Sequence, residues 1–297
     1  MILMHREDPH RRVREEVARL LEIRGADERL LDELPKRWER FADVALLQRG
    51  AFSSDLWAEH IGNELWKAIA RGLSVQRLGR IGEIIGERRE SSVELLLGNE
   101  DWVVRRENGV DFGYKFTKCM FSAGNVNERR RMGEVGKSGE TVVDLFCGIG
   151  YYTLPMLIHS KVEHIHSCEW NPNAIESLEW NLEHNGVINR CTIHPGDNQV
   201  TAPNLQGIAD RVILGLLPSA EEGFSLAVDC LKTSGGVLHI HGVATTKNHD
   251  PWIDETIASI SKISEDFVVK EAGRVRVKSY APHWDHIVLD LELSPRA

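Results

Sequence analysis

The chain has 297 residues, of which 42% are apolar and 27% are charged, close to the proportions of an average globular protein. This composition excludes a disordered chain, a collagen-like repeat and a coiled coil. A net charge of −9 argues mildly against nucleic acid as a partner, although local arginine clusters could still hold RNA.

No apolar stretch approaches the roughly 20 residues that a helix needs to cross a bilayer. Residues 1–4 meet charge at Arg6 and Glu7 before a signal core can form. The five cysteines lie far apart with no Cys-x-x-Cys pair, which is typical of a reducing compartment. We therefore expect a cytoplasmic protein with five free thiols and no membrane contact. Nothing in the sequence indicates its oligomeric state.

The first third of the sequence predicts helices followed by strands. Apolar residues recur at helical spacing over 13–21, and a second helix is predicted from an N-cap at Ser54 to a stop at Gly72. Short alternating runs broken by glycine turns over 75–121 predict a small β-rich unit. We therefore predict an N-terminal helical and β-rich domain over residues 1–118.

From Thr141 onward, apolar strands alternate with amphipathic helices, which predicts a mainly parallel sheet covered by helices on both faces. The last two strands are joined only by residues 274–285, too few for a helix, so we predict an antiparallel hairpin. This is the arrangement of class I methyltransferase-like enzymes, and we predict that Rossmann-like α/β fold over residues 119–297. The seven strand candidates are residues 142–146, 164–168, 191–194, 211–214, 237–241, 267–269 and 287–291.

The strongest local signal is the run from Asp144 to Tyr151, in which a buried strand leads into a Gly-x-Gly turn at Gly148 and Gly150. Such a turn lets the backbone approach a ligand while helix amides point toward it. A tight turn without a ligand is the alternative. A dinucleotide fold would place a third glycine where this chain has Thr153, and the acidic Asp144 precedes the turn; both details favour S-adenosylmethionine over NAD. We take Asp144, Gly148 and Gly150 as cofactor-binding candidates.

Two further acidic positions follow the next strands. Glu169 ends the second strand about 20 residues beyond the glycine turn, where a carboxylate would hold a ribose diol. Asp197 could accept from an adenine amino group, with Asn198 or its backbone amide addressing the ring. The alternatives are a helix-capping role for Glu169 and an ordinary turn at Asp197.

The strand at 211–214 is followed by Gly215, Leu216, Leu217 and Pro218. Many base-directed methyltransferases keep Asn or Asp here to grip the nitrogen that is methylated. Gly215 supplies no such group, which argues against N-methylation and predicts open space at the reacting centre. We take Gly215, Leu216 and Pro218 as candidates on the substrate side.

These motifs together resemble the wybutosine-synthesising tRNA aminocarboxypropyltransferases, a branch of the tRNA guanine-N1 methyltransferase-like superfamily. Phe-Ser-Ala-Gly-Asn and Gly-Leu-Leu-Pro-Ser separate this chain from the methylating branch, which keeps Phe-Ser-Pro-Arg and Asn-Leu-Pro. The matching stretches are residues 37–44, 118–125, 144–152, 215–219 and 277–282.

The resemblance implies transfer of the 3-amino-3-carboxypropyl group of S-adenosylmethionine to carbon 7 of 4-demethylwyosine at position 37 of tRNA-Phe, with release of methylthioadenosine. It places Ser122 and Arg129 at cofactor-binding positions, where a guanidinium could grip a carboxylate. The alternatives are a guanine-N1 methyltransferase at the same nucleotide and a non-catalytic, cofactor-binding tRNA-binding protein. The sequence shows no general base.

Two histidine pairs lie at period two on predicted strands, His164 with His166 and His239 with His241. Neither pair has cysteine or carboxylate partners at ligand spacing, so we expect buried, hydrogen-bonded histidines and no metal. Among the eight tryptophans, Trp170 and Trp284 are the candidates for stacking on a base.

Overall fold

The computed structural model describes residues 8–82, 84–85 and 90–296. The chain divides into two units, the first comprising Met1–Arg105 with Tyr114–Met120 and the second Arg106–Gly113 with Phe121–Ala297. The last change of unit along the chain falls between Met120 and Phe121, and residues Arg106–Gly113 group with the second unit. Residues 1–7, on which the expectation about a signal segment rests, lie outside the described part.

The first unit contains two helices and a four-stranded sheet of order β1-β2-β3-β6, in which β2 and β3 are parallel and the other pairs antiparallel. Its core surrounds the fully buried Trp57. A two-stranded β4-β5 sheet accompanies it, and β7 pairs with β8. The elements are α1 (Pro9–Ile23), β1 (Trp38–Phe41), β2 (Val44–Leu47), α2 (Asn63–Leu73), β3 (Arg77–Arg80), β4 (Ile84–Ile85), β5 (Glu90–Ser91), β6 (Glu94–Leu97), β7 (Trp102–Glu107) and β8 (Val110–Lys115).

The helix predicted to begin at Ser54 begins nine residues later. Ser54 precedes only a short 3-10 turn, and Gly62 adopts a φ of 151°, a conformation outside the helical region, immediately before α2. The helix ends at Leu73, where Ser74 takes the left-handed conformation. The predicted start was wrong because the helical spacing of apolar residues continues across Gly62, whereas the backbone at Gly62 is not helical.

The second unit is built on a seven-stranded sheet of order β11-β10-β9-β12-β13-β15-β14. The first five strands run parallel, β15 runs antiparallel to β13, and the edge strand β14 pairs antiparallel with β15. The predicted fold is therefore confirmed, with all seven strands present. Its elements are α3 (Val126–Val135), β9 (Thr141–Asp144), α4 (Thr153–His159), β10 (His164–Glu169), α5 (Pro172–His184), β11 (Cys191–Pro195), α6 (Asn198–Thr201), β12 (Arg211–Leu214), α7 (Phe224–Cys230), β13 (Gly236–Thr245), α8 (Asp250–Ile263), β14 (Phe267–Ala281) and β15 (Trp284–Pro295).

The C-terminal hairpin is longer than the sequence predicts. Most of the segment 274–285 belongs to the two strands, so only Pro282 and His283 form the turn.

Residues Arg106–Gly113, the tip of the β7-β8 hairpin, join this unit through side-chain amides of α5. Asn181 accepts from the Gly113 amide at 2.5 Å, and Asn185 accepts from the Asp111 amide at 3.0 Å.

The central strands β9 and β12 are buried almost throughout, as strands covered on both faces must be. After β9 the chain proceeds outward to β10 and β11 and then returns to β12 on the other side of β9. The carboxyl ends of β9 and β12 therefore flank the point where the strand order reverses. Open α/β sheets bind their ligands at this edge.

Candidate active site

The glycine turn follows β9 at this edge. Gly148 and Gly150 have φ values of 57° and 94°, and Gly150 donates to the Cys147 carbonyl at 2.9 Å. A Cβ on Gly148 would lie 2.5 Å from the Tyr151 ring, so a side chain here would be both strained and obstructed. The turn leads directly into α4, as the sequence predicts.

Asp144, at the end of β9, is completely buried. Its carboxylate accepts from the Thr153 hydroxyl at 2.9 Å and from the Phe146 amide at 3.4 Å. Burial raises the pKa of Asp144 to about 7. Both oxygens bond to the protein, so Asp144 supports the glycine turn, and its contact with the cofactor stays a prediction.

Glu169 ties the second strand to the glycine turn. One carboxylate oxygen accepts from the Gly148 amide at 2.9 Å, and the other accepts from Trp170 and Asn171 at 3.0 and 2.7 Å. Burial raises the pKa of this carboxyl, and the three amide bonds oppose that effect. A carboxylate oxygen has more than one acceptor direction, so Glu169 retains capacity to bond a ribose hydroxyl.

The third position lies beside the second, because the Gly196 amide donates to the Glu169 carbonyl at 2.9 Å. Asp197 is exposed, and one oxygen caps α6 through the Gln199 amide at 2.9 Å. The Asn198 side chain donates to the Leu145 carbonyl at 3.0 Å. The Asn198 side-chain amide nitrogen is therefore already bonded within the protein, and a contact of Asn198 with an adenine ring stays a prediction.

Ser122 and Arg129 lie together, the guanidinium is bonded to a carboxylate of the protein, and its contact with the cofactor stays a prediction. Arg129 is 1% exposed and donates twice to Glu107, at 2.5 and 2.8 Å, and once to the Ser122 carbonyl at 3.0 Å. A guanidinium neutralised by a bidentate carboxylate is poorly placed to grip a second anion. The structure thus assigns Arg129 to holding the Ser122 segment.

The space expected beside Gly215 is occupied. A Cβ at Gly215 would lie 3.0 Å from the Tyr152 ring, so the prediction of open space there was wrong. Tyr152 is 5% exposed, and burial raises the pKa of its hydroxyl. Leu216 is half-buried and packs on the core, whereas Pro218 is exposed. The absence of a side chain at Gly215 thus admits an aromatic ring, because the two residues follow neighbouring strands.

Buried histidines on β13 and β15 lie next to the Tyr152 ring. His241 contacts Tyr152 and His286, with ring nitrogens 3.0 Å apart in the histidine pair, and burial lowers the pKa of both histidines. His239 lies between Arg211 and Asp290, each at 2.6 Å. The predicted buried, hydrogen-bonded histidines are thus confirmed on β13.

The second histidine pair lies on β10 and is half-buried. His164 contacts Thr192 at 2.8 Å, and His166 contacts His194 at 2.9 Å. Within the described ranges, no three histidine, cysteine or acidic residues form a group that could hold a metal ion.

Sequence reasoning missed Lys278, on β14. Its ammonium donates to the Ser122 hydroxyl, and its Cδ lies 2.8 Å from where a Cβ on Gly124 would stand. The only sequence signal was the stretch 277–282, which carries the family resemblance but suggested no role. Lys278 brings a cation to the segment that contains the predicted cofactor residue Ser122.

Exposure separates the two tryptophans that we selected from most of the others. Trp170 and Trp284 are 39% and 45% exposed, and Trp170 directly follows Glu169.

All five cysteines are free, and burial raises the pKa of the Cys147 thiol well above its usual range. No helix in the described residues has the length and apolar character needed to cross a membrane.

The parallel sheet, the glycine turn and the acidic strand ends define a class I methyltransferase-type domain with a nucleoside-binding edge. Comparison with protein families agrees. The model of the TRM5/TYW2 methyltransferase domain matches residues 103–270, more than half of the chain, and the model of the TYW2 N-terminal domain matches residues 17–101. The chain therefore belongs to the TRM5/TYW2 family, as predicted.

Two relatives show how this chain compares with longer proteins. It is 43% identical over 289 residues to rice (Oryza sativa) tRNA wybutosine-synthesizing protein 2/3/4, covering 96% of this chain but 27% of that protein. It is 41% identical to the zebrafish (Danio rerio) tRNA wybutosine-synthesizing protein 2 homolog, covering 89% of this chain and 72% of that protein. The chain thus spans about a quarter of the plant relative and most of the fish relative.

A solved structure shares the complete fold. Pyrococcus horikoshii TYW2 in complex with MeSAdo is 30% identical and superposes with a TM-score of 0.77, covering 96% of this chain and 99% of that one.

Proposed function

We propose that this chain transfers the 3-amino-3-carboxypropyl group of S-adenosylmethionine to carbon 7 of 4-demethylwyosine at position 37 of tRNA-Phe. The observation that carries the proposal is the nucleoside-binding edge in a chain whose relatives are named for wybutosine synthesis. The MeSAdo bound by the archaeal TYW2 is the by-product that this reaction releases. Five free thiols and a tRNA substrate suit a cytoplasmic enzyme.

The proposed cofactor site assigns a separate task to each strand end. Glu169 would bond the ribose hydroxyls while it holds the Gly148 amide at 2.9 Å. Asp197, exposed at the next strand end, would accept from the adenine amino group, and the Asn198 backbone amide would address the ring. Gly148 and Gly150 would let the backbone lie against the nucleoside, with Asp144 beneath the turn. Ser122 would contact the amino-acid arm.

The chemistry depends on orientation. S-Adenosylmethionine carries three carbons on its sulfonium, and the carbon placed in line with the nucleophile reacts. Here carbon 7 of the base attacks the first methylene of the arm, the carbon–sulfur bond breaks, the sulfur keeps the electron pair as methylthioadenosine, and the proton on carbon 7 leaves. The protein's task is to turn the arm, instead of the methyl group, toward the base.

The competing activity is methylation of guanine N1 at the same nucleotide. The methylating branch keeps an asparagine where this chain has Gly215, and the Tyr152 ring occupies the space beside that position. A side-chain amide that could hold the base nitrogen is therefore absent at this position, which favours transfer to carbon.

Separately labelled cofactors test the proposal. The chain is incubated with tRNA-Phe that carries the tricyclic precursor, and with S-adenosylmethionine labelled either in the aminocarboxypropyl chain or in the methyl group. We expect only the aminocarboxypropyl label in the RNA, with methylthioadenosine accumulating. Methyl label in the RNA together with adenosylhomocysteine would establish the methyltransferase instead. Cofactor and tRNA binding with neither label transferred would indicate a binding protein.

A further inference from the structure

We propose that Lys278, with Ser122, forms the subsite that binds the carboxylate of the cofactor's aminocarboxypropyl arm. The inference rests on the proposed function, since it names the group that orients the arm. A carboxylate is the anionic feature that distinguishes this arm from the methyl group. An ammonium and a hydroxyl side by side are a donor pair suited to binding it.

The position of the ammonium is set by the backbone around it. Lys278 is half-buried on β14, and its Nζ lies 3.4 Å from where a Cβ on Gly124 would stand. A side chain at position 124 would collide with the lysine stem, because that Cβ would lie 2.8 Å from Cδ. Because Gly124 has no side chain, the lysine stem can lie against it, and the ammonium contacts the Ser122 hydroxyl.

A series of contacts connects this pair with the nucleoside-binding edge. The Phe121 ring lies 6.0 Å from the ring of Tyr151, in the glycine turn, and the Ser122 hydroxyl lies 3.4 Å from the Asn125 side chain. Asn125 is also near enough to the Tyr152 hydroxyl to lower its pKa against the rise that burial causes, and the Tyr152 ring lies beside Gly215. Contacts of Phe121 and Asn125 thus connect the Ser122 segment with Tyr151 in the glycine turn and with Tyr152 beside Gly215.

The neighbouring guanidinium groups are bound to carboxylates. Arg129 is held by Glu107, as described, and Arg131 donates to Glu128 at 2.7 and 2.9 Å and to Asp290 at 2.5 Å. Lys278 contacts Ser122, the residue that the family resemblance places at the cofactor. Arg129 and Lys278 therefore both bond Ser122, the arginine at its carbonyl and the lysine at its side-chain hydroxyl.

Methylthioadenosine provides a matched ligand, because it retains the nucleoside and sulfur but lacks the arm. We expect Lys278→Met to weaken S-adenosylmethionine binding about 10- to 100-fold, the effect of losing a charge-assisted hydrogen bond. Binding of methylthioadenosine should change less than about twofold, since none of its atoms would meet Lys278. Lys278→Arg, which keeps the charge, should restore most of the lost affinity.

Isothermal titration of the full chain with both ligands measures these effects. Lys270→Met, an exposed lysine on the same strand, is the control for loss of surface charge. Equal weakening of both ligands, or unchanged S-adenosylmethionine binding in Lys278→Met, would overturn the inference. So would a rise in KM for tRNA with cofactor affinity retained, which would assign Lys278 to an RNA phosphate. If the wild-type chain bound neither ligand, the proposed function itself would fail.

Discussion

Replacing Glu169 with glutamine tests a side chain that holds the glycine turn and, in the proposed site, also binds the ribose of the cofactor. The substitution keeps the shape of the carboxylate but converts one acceptor oxygen into a donor amine. In the wild type, one oxygen serves Gly148, and the other serves Trp170 and Asn171. If the glutamine carbonyl oxygen accepts from the Trp170 and Asn171 amides, the side-chain NH2 group points toward the Gly148 amide, and two hydrogen-bond donors face each other.

The least costly arrangement therefore loses one charge-assisted hydrogen bond, which contributes about 1.5–3 kcal/mol. For a chain of this size, a loss of that magnitude lowers the melting temperature by about 3–10 °C. Cofactor affinity should fall at least about tenfold, because the Gly148 turn loses its anchor and the proposed ribose bonds lose part of their acceptor. Both effects should appear in Glu169→Gln, since one carboxylate serves both purposes.

Thermal unfolding and calorimetric titration with methylthioadenosine measure the two effects. Glu179→Gln is the matched control, because Glu179 is exposed on the helix that follows the same strand. It should leave the melting temperature and the affinity unchanged. If Glu169→Gln also kept its melting temperature and bound methylthioadenosine within about twofold of the wild type, the assignment of Glu169 would be refuted.

Three further predictions concern the surroundings of the site. Asp290→Asn should lower the free energy of unfolding by about 3 kcal/mol in urea titration, because Arg131 and the buried His239 both lose a half-buried carboxylate partner; a loss below about 1 kcal/mol would contradict this. Gly215→Ala should slow transfer while methylthioadenosine still binds, because its Cβ would press on Tyr152; unchanged turnover would show that the contact relaxes freely. Burial lowers the pKa of His286 to about 4, so the unfolded chain binds the extra proton below about pH 6.5, and this histidine should contribute about 2 kcal/mol to the fall in stability between pH 7 and 5. His286→Phe should flatten this part of the stability curve, and an equally steep curve would disprove the assignment.

Much of the second unit could be predicted from the sequence alone. The strands β9 and β12 are short apolar runs, and the alternation of such runs with helical periodicity is a local property that survives in the fold. Because parallel strands end at a common edge, acidic residues that follow successive strands must meet there. This geometry is why Glu169 and Asp197 lie beside each other, joined through Gly196.

Helix boundaries and partners were less predictable. The helical spacing of apolar residues in the first unit continues through Gly62. The backbone conformation of Gly62, however, separates the short 3-10 turn from the helix α2. Arg129 carries a charge that the sequence can identify, but its partner Glu107 is 22 residues away on a hairpin. A side chain's residual capacity to bind a ligand depends on such partners, and they are decided by packing.

Lys278 shows most clearly what only the tertiary structure decided. The lysine and Ser122 are separated by 156 positions, and the pairing of β14 with β15 shifts register between Glu271 and Gly273, between Arg276 and Lys278, and again before Ala281. Each irregularity changes which face of the sheet the following side chains take. Counting alternate residues along β14 therefore cannot tell where the ammonium points. The sequence determined the sheet and its acidic edge, and the folded hairpin alone brought the cation to Ser122.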